Sequence, residues 1–362
     1  MLHTKIFATE VSQNRPERCL IFAMHIGKFL KGMTKTGMTE KLMTAPGDDT
    51  INLRSSGQVV LRTRNLSKQY GKRLAVDNLN LEVHRGEIFG FLGPNGAGKT
   101  TTIRMALGLI APTSGRVEIL GRDVFAHRAQ ILPRVGSLVE TPALFTYLSG
   151  RNNLRAVGSV LGGVPKARID AVLDVVGLGI RQKDRVRTYS LGMKQRLGVA
   201  MALLQDPDVL ILDEPANGLD PAGIVEMRDL MHRLSAEGKT VFISSHLLTE
   251  VQQICTRVGI IHLGKLITES TVEELTKGHG EFTVTLERPE QALALIQAQV
   301  WGKDAHIDSN GALITPAPEG RGRNLNLFLV NEGFAPDTIA PSTKDLEQVF
   351  LHLTNGGSGE IQ

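Results

Sequence analysis

From Val59 onward the apolar positions recur with two different periods, and their alternation predicts most of the architecture. Residues 59–66 read as a strand, and Leu79-Asn-Leu-Glu-Val83 alternates apolar with polar positions, as a half-exposed strand does. Glu87-Ile-Phe-Gly-Phe-Leu92 is a short apolar run of the kind buried on both faces. It leads straight into a glycine-rich loop, after which residues 100–108 continue as a helix. Helical spacing predominates from about 150 to 205, with breaks at Gly162-Gly-Val-Pro165 and around Gly177-Leu-Gly179. Strands are then expected at 209–212, 240–244 and 258–263, and helices at 223–237 and 247–256. Such alternation predicts a largely parallel sheet flanked by helices.

The two ends read differently. A strand at 281–287, a helix at 291–300, two weak strands and a closing helix at 344–353 predict a small α+β appendage over 280–354. A frayed tail, 355–362, follows it. Residues 1–57 are rich in Met, Lys, Thr and Arg and predict an extension without a core of its own, leaving 58–279 as the main body. Within the extension, Cys19-Leu-Ile-Phe-Ala-Met-His-Ile-Gly-Lys-Phe-Leu-Lys31 has the makings of a short amphipathic helix on a membrane surface. It lacks the small-residue cleavage pattern of a signal peptide. A start at Met33, Met38 or Met43 is the other reading of the same composition.

Composition narrows the class. At 362 residues the chain exceeds one ordinary domain, and 41% apolar with 22% charged residues fits a globular protein. The formal charge of +4 comes from scattered basic residues, so no nucleic-acid partner is expected, although docking near anionic headgroups suits a mild basic bias. Cys19 and Cys255 lie far apart without ligand spacing, which predicts a reducing compartment. No apolar run reaches the roughly 18–20 residues that span a bilayer. If this chain works at a membrane, another chain supplies the membrane part.

Three motifs carry chemistry. Gly93-Pro-Asn-Gly-Ala-Gly-Lys-Thr100, set between a strand and a helix, is a complete phosphate-loop pattern. Its glycines let backbone N–H groups turn inward around phosphates, and the following helix adds its positive end. Lys99 is expected to reach the β- and γ-phosphates, and the Thr100 hydroxyl to hold Mg²⁺. Gly93, Pro94, Asn95, Gly96, Ala97, Gly98, Lys99, Thr100 and Thr101 form the expected phosphate-binding set. Asp213 and Glu214 end the apolar strand Val209-Leu-Ile-Leu212, an arrangement that presents two carboxylates at the C-terminal edge of a sheet. Asp213 suits the Mg²⁺ shell and Glu214 the base that polarises the attacking water. Between these motifs stands Ser190-Leu-Gly-Met-Lys-Gln-Arg196.

Together the three make the chain resemble the nucleotide-binding subunit of an ABC transporter from about Val59 to Glu269. The resemblance implies an α/β fold: a P-loop NTPase core with a mixed sheet and flanking helices, an antiparallel β subdomain and a helical subdomain. It implies ATP and Mg²⁺ as ligands and ATP hydrolysis as the activity. It implies that Ser190 and Gly192 bind the γ-phosphate held by a second subunit, making a homodimer the expected working form. Tyr70 matches the aromatic that stacks on adenine, Asp220 the loop that crosses between subunits, and His246 the γ-phosphate-sensing histidine. Glu140 stands where most members carry a glutamine, and is expected to reach Mg²⁺ or the lytic water. The Glu140-Thr-Pro142 pattern, Tyr189–Ala200 and the ending Lys344-Asp-Leu-Glu-Gln-Val-Phe look like the branch that exports bacitracin and lantibiotics. A separate membrane permease and a place on the cytoplasmic face of the membrane are implied, with a peptide antibiotic or lipid-like compound as cargo. The alternative is an ATPase of the same superfamily acting on ribosomes or DNA. Ribosome-associated relatives carry two such motif sets, and DNA-repair relatives insert a long coiled coil; this chain has neither.

Overall fold

The computed structural model describes residues 57–308, 310–343 and 345–355. The extension up to residue 56, with its amphipathic patch, and the tail from 356 lie outside the described residues. In chain order the strands are β1 (Val59–Tyr70), β2 (Arg73–His84), β3 (Ile88–Leu92), β4 (Ser114–Ile119), β5 (Arg122–Asp123), β6 (Val135–Leu138), β7 (Val209–Asp213), β8 (Thr240–Ser245), β9 (Arg257–His262) and β10 (Lys265–Thr271). The helices among them are α1 (Lys99–Ala106), α2 (Arg128–Ile131), α3 (Gly150–Val160), α4 (Lys166–Val175), α5 (Leu191–Ala202), α6 (Pro221–Ala236), α7 (Leu248–Ile254) and α8 (Val272–Thr276).

The central sheet has the order β10-β9-β3-β8-β7-β6. β9, β3, β8, β7 and β6 run parallel, and β10 pairs antiparallel at one edge. β3, β7 and β8 are buried along their whole length, as strands covered on both faces must be. Their alternate residues feed two cores. Ile88, Leu92, Leu210, Leu212, Val241 and Ile243 face the helices α4, α5, α6 and α7. Phe89, Phe91, Val209, Ile211 and Phe242 face α1 and an antiparallel sheet of order β2-β1-β4-β5. The rings of Phe89 and Phe242 stack there at 5.8 Å. The helical region is started by side-chain caps: Ser149 accepts from Asn152 N at the head of α3, and Ser190 from Met193 N at the head of α5.

The C-terminal region adds β11 (Lys277–Thr285), α9 (Pro289–Gln297), β12 (His306–Ile307), β13 (Leu313–Pro316), α10 (Gly322–Asn331), β14 (Thr338–Thr343) and α11 (Leu346–Asn355). Its sheet has the order β12-β13-β11-β14 with every pair antiparallel. A β-α-β-β-α-β chain in that order is the split βαβ, or ferredoxin-like, arrangement. Its core, which includes Val284, Ala292, Ile296, Leu313, Leu325 and Leu329, is separate from the two cores of the body. α11 does not join that core. Leu346 is fully buried in the helix-side core of the body, Phe350 and Leu353 pack there too, and Leu346 N donates to Gln252 Oε1 of α7 at 3.1 Å. The appendage thus starts at a strand that begins at Lys277, and its closing helix returns to the body. No helix among the described residues is long and apolar enough to cross a membrane.

Candidate functional site

Strand order builds the site. β8 lies between β3 and β7, with Leu92 paired to Ser245 and Asp213 to Ser244, so the three strands end level. The loops that follow them therefore emerge side by side, at the carboxyl edge where open parallel sheets bind ligands. Residues 93–98 leave β3, Glu214 leaves β7, and His246 leaves β8. A cavity of about 600 Å³ opens among them. Tyr70, Arg73 and Ala75 line one wall, Asn95, Gly96, Gly98, Lys99, Thr100 and Thr101 the floor, and Glu214, Asn217 and His246 the other wall.

The floor needs its glycines. A Cβ on Gly93 would lie 2.3 Å from the Ile261 carbonyl oxygen. Gly98 takes φ +113 and would press a Cβ to 2.6 Å from the Ala75 carbonyl oxygen. Gly93 N–H and Ala97 N–H are taken up by Ser245 O and Pro94 O, and α1 starts at once, at Lys99, which sets the positive helix end at the floor of the cavity. That cradle fits a polyphosphate. Lys99, buried at 5% exposure, donates to Gly93 O at 2.6 Å and lies 3.2 Å from Glu214 Oε1.

Glu214 owes its direction to its backbone. It takes φ +51, uncommon for a residue with a side chain, and its N–H is held by Ser244 Oγ at 3.1 Å and by Ser244 O at 3.2 Å. Its carboxylate thereby meets Lys99 on one side and, through Oε2 at 2.6 Å, His246 Nδ1 on the other. Asp213 is buried behind it, its Oδ1 accepting from the Ser244 hydroxyl at 2.5 Å. One hydroxyl therefore orients both carboxylate residues. Burial pushes the nearby Glu250 carboxyl up, against the lowering influence of the His246 ring and with the raising influence of Glu214.

Other expected site residues sit elsewhere. Glu140 does not line the cavity: its backbone takes φ +60 just beyond β6, and its exposed side chain pairs with Arg104 Nη2 at 2.5 Å. Ser190, Gly192 and Asp220 form a second group. Gly192 packs near Leu219 and Gly223, and Asp220 caps α6 by accepting from Gly223 N at 3.0 Å. None of the three lines the cavity. Asn217, the first residue of the Asn217–Asp220 stretch expected to cross between subunits, lines the cavity, and Arg73, Ala75 and Ser244 are not among the expected site residues. Ala75 and Ser244 carry no motif signal, and Arg73 is legible only as a neighbour of Tyr70.

Among the described residues no three His, Cys, Asp or Glu side chains cluster with metal-binding geometry. Of the two residues expected to hold Mg²⁺, Thr100 lines the cavity, while Asp213 is buried and does not line it; both are oxygen donors, the chemistry suited to an ion that completes its shell with water and phosphate oxygens.

Residues 76–217 match the family model for ABC transporters. The bacitracin transport ATP-binding protein BcrA of Bacillus licheniformis is 44% identical over 301 residues, 83% of this chain and 98% of that protein. The lantibiotic transport ATP-binding protein SrtF of Streptococcus pyogenes is 43% identical over 210 residues, 58% of this chain and 90% of that protein. A solved ATP-binding subunit of an ABC transporter superposes with a TM-score of 0.53 at 29% identity, covering 60% of this chain and 91% of that one.

Proposed function

This chain belongs to the ATP-binding subunits of ABC transporters, a family that hydrolyses ATP to power transport, and on that premise we propose how its residues divide the work. Tyr70 stacks on adenine, the 93–101 loop cradles the phosphates, and Thr100 with Asp213 would hold Mg²⁺. When bound, that ion would supply charge neutralisation at the transferred phosphoryl group. Glu214 orients and deprotonates the attacking water, and His246 holds the Glu214 carboxylate in place. A polyphosphate on the loop competes for Lys99, loosening its contact with Glu214 and leaving that carboxylate to the water.

The single observation that carries this reading is the chain of contacts Lys99–Glu214–His246 beside the cavity, assembled from three loops. The Ser190 turn supports the second half of the proposal. It presents an exposed serine at a helix start outside the cavity of its own chain, which suits a group meant for another copy. Two copies then join face to face around two ATP molecules, each site completed by the partner's turn, and part after hydrolysis. The cycle drives a separate membrane permease from the cytoplasmic face, and the export of a peptide antibiotic follows from the likeness to the bacitracin and lantibiotic transport subunits. Glu140 acts only if its loop turns inward when the pair closes.

Glu214→Gln tests the chemistry. It should bind Mg-ATP near wild-type affinity, lower kcat at least about 100-fold, and accumulate a dimer in ATP. Turnover near the wild-type rate would remove Glu214 from the role of base.

A further inference from the structure

Three cations line the cavity: Lys99, His246 when protonated, and Arg73. The first two already face Glu214. Arg73 differs, because among the described residues no carboxylate lies within ion-pair distance of it. Its Nη2 makes one long hydrogen bond, 3.3 Å, to the Gly96 carbonyl in the phosphate loop, and the rest of its fork is exposed. Arg73 opens β2, two residues beyond the Tyr70–Gly71 turn, and Tyr70 and Arg73 are the terminal pair of the β1–β2 ladder. The aromatic and the guanidinium are therefore held together at one rim of the cavity, with the loop immediately below.

We propose that Arg73 is a nucleotide-binding residue, whose guanidinium clamps the inner phosphates of a nucleoside di- or triphosphate between the Tyr70 ring and the phosphate loop. This rests on the nucleotide reading of the cavity. The physical reasons are charge and shape. An arginine fork presents several donors in one plane and suits phosphate oxygens, and a cation without a carboxylate loses no ion pair when an anion arrives. Its tether to Gly96 O and its pairing with Tyr70 at the end of the β1–β2 ladder hold the group over the loop on the side where the aromatic stands. The contact therefore falls to the phosphates nearer the sugar. It strengthens the binding of ATP and ADP alike and leaves discrimination at the γ-phosphate to Lys99. An arginine in this position also makes binding more salt-sensitive than the buried lysine alone would.

Equilibrium dialysis of labelled ATP, ADP and adenosine against the full chain tests the assignment. Arg73→Ala should raise the dissociation constants for ATP and ADP by a common factor of about 10 and leave that for adenosine unchanged. Arg73→Lys, which keeps the charge without the fork, should recover part of the loss, and the salt dependence of ADP binding should flatten in Arg73→Ala. Wild-type affinity for ADP in Arg73→Ala overturns the proposal. Equal weakening of adenosine overturns it as well, since the side chain would then serve the base end or the fold of the loop. Lys99→Ala in the same assay separates the two levels: if it binds ATP normally, the phosphate-loop reading itself fails, whatever Arg73 does.

Discussion

Through one hydroxyl Ser244 bonds the Asp213 carboxylate and the Glu214 N–H, and removing that hydroxyl gives a measurable loss. In Ser244→Ala the Glu214 N–H keeps a second acceptor, the Ser244 carbonyl at 3.2 Å, so that group is not orphaned. Asp213 is less fortunate. It is 3% exposed, and no other side-chain bond to its carboxylate is present among the described residues. The cost is therefore one charge-assisted hydrogen bond on a buried carboxylate, about 2 kcal/mol. For a cooperative body of this size that corresponds to a fall of about 4–8 °C in melting temperature. If Asp213 holds Mg²⁺ as proposed, function should fall too, since a carboxylate free to rotate no longer presents a fixed oxygen to the ion. A loss of about 10-fold in kcat/KM for Mg-ATP corresponds to about 1.4 kcal/mol of misplaced transition-state contact. Differential scanning fluorimetry and steady-state phosphate release measure the two effects. Ser244→Thr, which restores the hydroxyl on a strand that tolerates β-branching, should regain most of both. A Ser244→Ala melting point within about 1 °C of wild type, with unchanged turnover, would refute the reasoning, because the bond would then be worth no more than its exchange with water.

Ser190→Arg should leave ATP binding to the single chain intact while abolishing ATP-induced dimerisation in a Glu214→Gln background, read by size-exclusion chromatography; losing its cap on Met193 N should cost α5 about 1 kcal/mol. A dimer that forms normally would sink the shared-site model. Glu250→Gln should stabilise the fold at pH 7. Its carboxyl is raised above 4.5 in the folded state, so folding favours the neutral form, and the cost of ionisation builds as the pH rises above about 4.5 and is complete above the raised value. The advantage of glutamine should shrink as the pH falls and vanish below about 4.5, where the wild-type group is protonated in both states. Urea midpoints at pH 7, 5.5 and 4 measure it, and a constant difference across that range would show that packing, not charge, is responsible.

Much of the body was legible in the sequence because its signals are local. The apolar run 88–92, the glycines after it, and the run 209–212 ending in two carboxylates carry their meaning in a few residues each. What failed to show follows a pattern. α10 has asparagines at 324, 326 and 331, and although Leu325 and Leu329 are buried, the exposed Leu327 and Val330 blur its period. β14 contains Pro341, tolerated because that strand lies at a sheet edge. Arg73 and Ser244 belong to ordinary strand ends, and no local pattern distinguishes them.

The sequence alone determined which chemistry the chain carries: a loop for phosphates, two carboxylates, a histidine, and a serine turn. Periodicity and turn chemistry act over a few residues, and those motifs fit within that range. Only the tertiary structure decided which of them meet. Placing β8 between β3 and β7 brings Lys99, Glu214 and His246 into contact across 115 and 32 residues of chain. The same order sets the Ser244 hydroxyl between the Asp213 carboxylate and the Glu214 N–H. Left-handed backbone at Glu214 turns its side chain inward, and at Glu140 turns it outward to Arg104. The burial of Leu346 ties the last helix to α7, just beyond His246, rather than to the domain that precedes it. Strand order and long-range packing are chosen by the sum of many distant contacts, which no window along the chain contains.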